Sequence, residues 1–360
     1  MHLSDNRDPR PAALAALTLS VLLFAFAGFA HAQPCVPGTL TWVPRGSYAG
    51  LEFTQLVSPP GNPCVIAWTA LNNGGLGVST DCGAQYANLL LTNAHEVTAS
   101  STNTGYVAAG PLGVVKTVDT GGLWFQINDG LPPSPDARSV FIHVAHPESV
   151  FTGLYNGGVF IGGPSVDSLI QWTPINEGLT DLRVRALARV RGGSFMLAAT
   201  DGGIWRRTNH VWSLVAPGAI ANSFVIDSAD SNRCYAACES GVFRSTNQGV
   251  SWSPSTTGIP FGTPVNDIAR RTEGVNVLYI GTRGQGVFES TDYGATWHRF
   301  GPPTPGDNDV RAVLAVVGLD NVPGQVGVFA GTRANGLFLA EYCTPALQST
   351  WGRLKDQYRE

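Results

Sequence analysis

The side chains of this chain that could do chemistry stand at turns and strand starts, and none falls into a catalytic phrase. Asp181, Asp227, Asp267, Asp307 and Asp309 are the acids so placed. Two carboxyl groups about 5–10 Å apart would make a glycosidase pair, one giving and one taking a proton. Acids at strand starts are more often turn residues, so no catalytic residue is assigned. Arg283 and Arg333 each follow a Gly-Thr pair, and Arg311 lies near a strand start. Guanidiniums gathered there would receive a carboxylate or sulfate through paired N–H donors. Those three arginines are the candidate ligand-binding residues. An arginine on an exposed turn is more often only solvated.

Other chemistries find less support. His143 and His146 are three apart, which on one strand sends them to opposite faces. No metal-ligand spacing occurs, and no cofactor is expected. No strand–turn–helix context exists for a serine nucleophile. The net charge is −4, with no run of Lys or Arg, so nucleic acid is not an expected partner. Trp68, Tyr106, Tyr155 and Trp205 fall near predicted strands and read as core rings.

What must position these residues is a repeated unit. Charged residues make up only 13% of the 360, and 43 are glycine, a mix that suits short strands and tight turns. The phrase S-x-D-x-G-x-x-W occurs at Ser290, Asp292, Gly294 and Trp297. It recurs at Thr117, Asp119, Gly121 and Trp124, and at Ser245, Asn247, Gly249 and Trp252. A copy with Tyr in the last place occurs at Ser79, Asp81, Gly83 and Tyr86. Each copy follows a strand that opens on glycine. Seven such openings, Gly75, Gly113, Gly158, Gly203, Gly241, Gly286 and Gly336, recur at roughly 38 to 50 residues, the period of four-stranded propeller blades. In the sixth unit, Val265–Arg271, Val277–Thr282, Gly286–Glu289 and a strand through Trp297 are the expected strands A to D.

In each C–D turn the Ser and Asp oxygens are placed to accept backbone N–H groups, and Gly supplies a positive φ. The phrase is therefore a staple, repeated around the ring where its acids cannot converge. The third unit has an expanded turn from Ser165 to Trp172, and the fourth a shortened one around Asn209. The seventh stops after strand C, while Leu40-Thr41-Trp42-Val43-Pro44 is a strand D without a blade. An N-terminal strand completing the last blade closes the circle and removes the open edges.

The phrase resembles the Asp-box, or BNR repeat. The longer pattern G-x-x-x-G-[VI]-[FW]-x-S-T-[DN]-x-G-x-x-W covers about 50 residues in the fifth and sixth units, with looser copies elsewhere. The resemblance implies an all-β, single seven-bladed propeller like those of sialidases, xyloglucan-active glycosidases, sortilin-type receptors and photosystem II assembly factors. Those relatives do unrelated things, so the likeness carries fold and not function. The sialidase Arg-Ile-Pro segment is absent.

The expected organisation is a signal peptide at 1–32, ending on Ala30-His31-Ala32, a propeller at 33–343 and a tail at 344–360 with a short helix from Ser349 to Arg359. Export makes the six cysteines disulfide candidates. Cys35 and Cys343 meet at the expected seam, and Cys64 and Cys82 share the first unit. Cys234 and Cys238 are too far apart along one strand to bond unless a bulge bends them together. The expected function is that of an exported, monomeric, non-catalytic scaffold binding protein or glycan at the B–C turns, with no integral membrane domain after signal cleavage. A diverged sialidase-like or xyloglucan-active glycoside hydrolase is the alternative.

Overall fold

The first strand belongs to the last sheet. In the computed structural model, β1 (Leu40–Arg45) pairs antiparallel with β28 (Leu337–Tyr342), Leu40 opposite Tyr342 and Arg45 opposite Leu337. The structure describes residues 40–342, except 47, 49, 59–63, 73, 91, 100–103, 120, 144–145, 165–169, 190–194, 272–276, 307 and 318–325. The expected signal segment, the expected Cys35–Cys343 bridge, Asp307 and the tail lie outside the described residues.

Seven four-stranded antiparallel sheets make the blades of a β-propeller. Blade 1 holds β2 (Glu52–Val57), β3 (Ile66–Leu71), β4 (Gly75–Ser79) and β5 (Ala87–Leu90). Blade 2 holds β6 (Glu96–Ala99), β7 (Gly105–Ala108), β8 (Val114–Thr117) and β9 (Phe125–Gln126). Blade 3 runs through β10 (Ala137–His143), β11 (His146–Leu154), β12 (Gly158–Pro164) and β13 (Ile170–Pro174). Blade 4 runs through β14 (Val184–Arg189), β15 (Met196–Thr200), β16 (Gly203–Thr208) and β17 (Val211–Pro217). Blade 5 is β18 (Ala221–Ile226), β19 (Cys234–Cys238), β20 (Gly241–Ser245) and β21 (Ser253–Pro254). Blade 6 is β22 (Val265–Arg270), β23 (Leu278–Thr282), β24 (Gly286–Ser290) and β25 (His298–Arg299). Blade 7 is β26 (Val310–Val317), β27 (Val326–Thr332) and β28, with β1 as its outer strand. The expected closure is borne out. The inner strands β2, β6, β10, β14, β18, β22 and β26 each touch the next around the axis.

Burial follows each strand's place in its blade. β15, β19 and β23 are buried at every position, because both faces of a blade press on neighbours. The outer strands β9, β21 and β25 are two residues long and exposed. Between blades 5 and 6, Tyr235 and Val242 pack on Leu278, Ile280 and Trp297. Between blades 1 and 7, Phe53, Trp68, Phe329 and Leu339 share one cluster. Gly77 is required there, since an added Cβ would lie 2.0 Å from the Trp68 ring. Trp68, Tyr106 and Trp205 are core residues, whereas Tyr155 is only half-buried.

The four turns with the repeated phrase share one bonding scheme. In blade 6 the Ser290 hydroxyl donates to Asp292 Oδ1 (2.8 Å) and accepts the Gly294 N–H (2.8 Å), while Asp292 Oδ1 accepts the Thr296 N–H (2.9 Å). Blade 1 repeats it with Ser79, Asp81, Gly83 and Gln85, blade 2 with Thr117, Asp119, Gly121 and Leu123, and blade 5 with Ser245, Asn247, Gly249 and Ser251. Burial tends to raise the Asp292 pKa, but bonds from Thr296 and Ser290 outweigh it and bring it down to about 2. Ser290→Ala leaves the Gly294 N–H without its acceptor, so chemical denaturation will show a loss of about 1–3 kcal/mol. An unchanged midpoint would deny the staple its role.

Some local expectations need correction. Trp297 is not in strand D, because its N–H bonds Thr257 O in the preceding loop (2.8 Å), and the ladder starts only at His298. His143 and His146 are not on one strand; they end β10 and begin β11 and face each other in register. Blade 4 closes its shortened turn on Asn209 (φ 49°) and His210 (φ 69°), the left-handed pair of a two-residue hairpin. Cys64 and Cys82 form a disulfide, and Cys234 and Cys238 are free and buried.

Candidate functional site

A cavity of about 620 Å³ lies on the axis and is lined by residues from all seven inner strands. A recurrent irregularity shapes its wall. In six of the inner strands the register steps at the second or third residue, between Phe53 and Gln55, Ala137 and Ser139, Val184 and Ala186, Ala221 and Ser223, Val265 and Asp267, and Val310 and Ala312. Each step is a β-bulge, which re-aims the unpaired side chain. The skipped residues are Thr54, Arg138, Arg185, Asn222, Asn266 and Arg311, and every one lines the cavity.

These side chains form a ring at the end that carries the B–C turns. Arg311 pairs with Asp309 (3.0 Å) and Glu52 (3.4 Å). Asn266 Nδ2 donates to Asp309 Oδ1 (3.1 Å). Arg283, from the turn between β23 and β24, pairs with Glu239 (3.2 Å), and Asn222 Nδ2 donates to the same carboxylate (3.1 Å). On the other side, Arg138 pairs with Asp136 (2.8 Å) and Arg185 with Asp201 (2.5 Å). Tyr155 stands between them: its hydroxyl donates to Asp201 (2.9 Å), and the guanidiniums of Arg138 and Arg185 lie 5.1 and 5.9 Å from its ring centre. The mouth is thus dense in charge, with each of these four arginines set against a carboxylate.

A second belt lies one residue deeper. Gln55 Oε1 accepts the N–H of Val97 (2.8 Å), and Glu96 Oε2 accepts that of Val140 (3.0 Å). Ser139 Oγ accepts the N–H of Leu187 (3.1 Å), and Asp267 Oδ2 that of Val313 (2.9 Å). Each side chain reaches across to the next blade and accepts an N–H there. The Ser139 hydroxyl also donates to Glu96. Burial pushes the Glu96 carboxyl up to about 7 against the bonds from Ser139 and Val140, with the charge of Asp267 adding to the rise. Burial likewise pushes Asp267 up to about 6 against bonds from Val313, Ser223 and Ile268. Burial and the charge of Arg138 push His95 down to about 4, with Asp136 opposing.

The predicted site residues are dispersed. Arg283 and Arg311 reach the cavity wall, while Arg333 is exposed and outside it. Of the predicted aspartates among the described residues, only Asp267 lines the cavity. Asp181 holds Arg183 (3.1 Å), Asp309 holds Arg311, and Asp227, at the far end of β18, holds Arg233 (2.9 Å) and Arg270 (3.0 Å). Among the described residues no group of three His, Cys, Asp or Glu is placed to hold a metal. Glu96, Arg138, Arg185, Asn222 and Asn266 were missed as site residues. Aligning the starts of the other inner strands would have found all but Glu96: Phe-Thr-Gln, Ala-Arg-Ser, Val-Arg-Ala, Ala-Asn-Ser, Val-Asn-Asp and Val-Arg-Ala share one polar column.

Fold and site together define a seven-bladed β-propeller with a charge-paired mouth over a polar belt. No family model matches the chain. It is 25% identical over 242 residues to a xyloglucanase of Hypocrea jecorina (strain QM6a), across 57% of this chain and 27% of that relative. The chain thus spans about a quarter of that protein's length. YCF48 from Cyanidioschyzon merolae is similar in structure at a TM-score of 0.59 and 14% identity, over 84% of this chain and 98% of that one. The extracellular domain of a putative hybrid two-component system from B. thetaiotaomicron reaches 0.65 at 12% identity, over 85% and 40%. At such identities the likeness to solved structures carries the fold alone.

Proposed function

We propose that this protein is an exported, non-catalytic propeller of the Asp-box kind that binds a protein or glycan ligand at the mouth of its central cavity. The observation that carries this reading is the bulge in six inner strands, which adds one polar residue per strand to the mouth. Thr54, Asn222 and Asn266 also bond a backbone carbonyl of the next blade, while Arg138, Arg185 and Arg311 serve only the mouth and its carboxylates. A rigid ring presenting such side chains is a recognition surface. The disulfide is compatible with an oxidising compartment, and one solved neighbour is an extracellular domain.

The alternative is a glycoside hydrolase with diverged residues. Its support is that Glu96 and Asp267 line one cavity, that the charge of Asp267 helps to raise Glu96, and that the two are pushed up to about 7 and about 6. Against it, each of these carboxylates accepts a backbone N–H from the next blade, so it acts as an inter-blade tie.

The test is a panel of glycans and candidate protein ligands, assayed for binding and for release of reducing ends. Binding without turnover is expected. Arg185→Ala will weaken it about tenfold or more, through the lost guanidinium, while Asp201 keeps Arg183 and Tyr155. Turnover abolished by both Glu96→Gln and Asp267→Asn would replace this reading with the hydrolase.

A further inference from the structure

The opposite end of the disc carries the A–B and C–D hairpins, and among the described residues of blades 4 and 5 its arginines outnumber its acids, Asp227 and Asp230, both of which pair with Arg233. The turn aspartates Asp81, Asp119 and Asp292 belong to blades 1, 2 and 6. Blade 5 has Asn247 in that place, and blade 4 turns on Asn209 and His210. Four arginines stand at the strand ends there. Arg189 closes β14, Arg206 and Arg207 lie near the end of β16, and Arg244 near the end of β20.

Among the described residues, none of the four has an ion-pair partner, whereas Arg233 and Arg270 on the same end both do. The Nε–H groups of Arg189, Arg207 and Arg244 have no hydrogen-bond acceptor. Burial, and then the charge of neighbouring Arg207, hold Arg189 below the usual guanidinium range. Arg207 is lowered too, by burial, with Glu177 opposing. Two of the guanidiniums lie over rings, Arg189 over Phe151 (5.0 Å) and Arg206 over Phe195 (4.9 Å), which fixes them at the surface. Arg206 also donates to Gln248 O (2.8 Å).

Apolar side chains stand among these charges. Val250, in the blade 5 turn, is 53% exposed, and Val211, directly after the blade 4 turn, is 40% exposed. A hydrophilic polyanion would leave both in water. The interfacial zone of an anionic bilayer takes both kinds of group, the arginines at its phosphates and the valines among its acyl ends.

We infer that this end of blades 4 and 5 is a peripheral docking surface for an anionic phospholipid membrane, held by Arg189, Arg206, Arg207 and Arg244 with Val211 and Val250 as apolar contacts. The surface lies away from the mouth, so a ligand bound there would face outward from the membrane. No helix among the described residues is long and apolar enough to cross a bilayer, and this contact requires none.

The experiment is co-sedimentation of the purified protein with vesicles of phosphatidylglycerol and phosphatidylcholine, against vesicles of phosphatidylcholine alone. Association with the anionic vesicles only is expected, falling as salt rises. Arg207→Ser with Arg244→Ser should weaken it about 25-fold, from about fivefold per arginine. Val250→Asp should weaken it as well, and the thermal midpoints of both variants should stay near that of the parent. No association, equal association with both vesicles, or indifference to either variant would overturn the inference. A parallel arm uses dextran sulfate. Binding there that matches the anionic vesicles and ignores Val250→Asp would also overturn it, in favour of a soluble polyanion.

Discussion

A chain that begins after Arg45 will not hold a stable ring. Without β1 the whole length of β28 becomes an open edge, with its N–H and C=O groups free to pair with another chain. Trp42 goes with it. Its side chain is 6% exposed, packs edge-on to Phe300 at 6.0 Å and donates from Nε1 to Pro302 O (2.9 Å). Burying such a ring contributes about 3–5 kcal/mol, a large share of the 5–15 kcal/mol that holds a typical protein folded. The truncated chain is therefore expected in aggregates by light scattering. The milder Trp42→Ala should stay folded and melt about 5–10 °C lower. A truncated chain that remains monomeric and melts with the parent would show that closure by β1 is dispensable.

The second large effect is on the pH dependence of stability. Glu96 titrates at about 7 and Asp267 at about 6 in the folded chain, above the ordinary values of 4.5 and 3.8 for these carboxyls. The folded state therefore binds these protons more tightly than the unfolded one. Their contribution is fully present below about pH 4 and is lost as the pH rises through 6 and then 7. The loss is on the order of 3 kcal/mol for each at the alkaline end. On the acid side Asp227 acts in the other sense. Burial tends to raise it, but the Ala229 N–H, Arg233 and Arg270 outweigh that and hold it low, so its contribution is lost as the pH falls below its unfolded value. Stability should peak near pH 4. In thermal melts from pH 4 to 9, Glu96→Gln should flatten the alkaline limb, since the neutral amide never ionises. Equal midpoints at pH 5 and 8.5 in the parent would contradict this account. Glu96→Ala tests the same belt differently: it leaves the Val140 N–H unmet and should cost about 2–4 kcal/mol in acid, and less above pH 7, where the parent has already lost the contribution of this carboxyl.

The fold was legible because it is built from repetition. The strand-opening glycines, the turn phrase and the unpaired strand at Leu40–Pro44 each carry a local signal, and the closure between β1 and β28 follows from counting strands. The site was barely legible, for a physical reason. A side chain at the mouth is selected by a one-residue slip in register, and a slip leaves no mark in any single strand. Arg185 in VRALAR looks like an ordinary exposed residue of a half-buried strand. Arg283 and Arg311 were visible because they follow turns, but their acids Glu239 and Glu52 come from other blades. Glu96 was invisible because the helpers that bury it, Ser139 and Val140, stand more than forty positions away.

The bulged positions have a consequence for how such a protein changes over generations. Each extra residue lies outside the pairing of its own strand, so the sheet does not choose its identity. Threonine, arginine and asparagine all occupy it here. The three arginine places around the opening are therefore open to mutation with little effect on foldability, as the letters of a dial lock turn without altering its case, whereas Thr54, Asn222 and Asn266 also bond the next blade. Drift at these places would retune what the opening accepts while the blades stay as they are, and a handful of substitutions would suffice to hand the same ring a different customer.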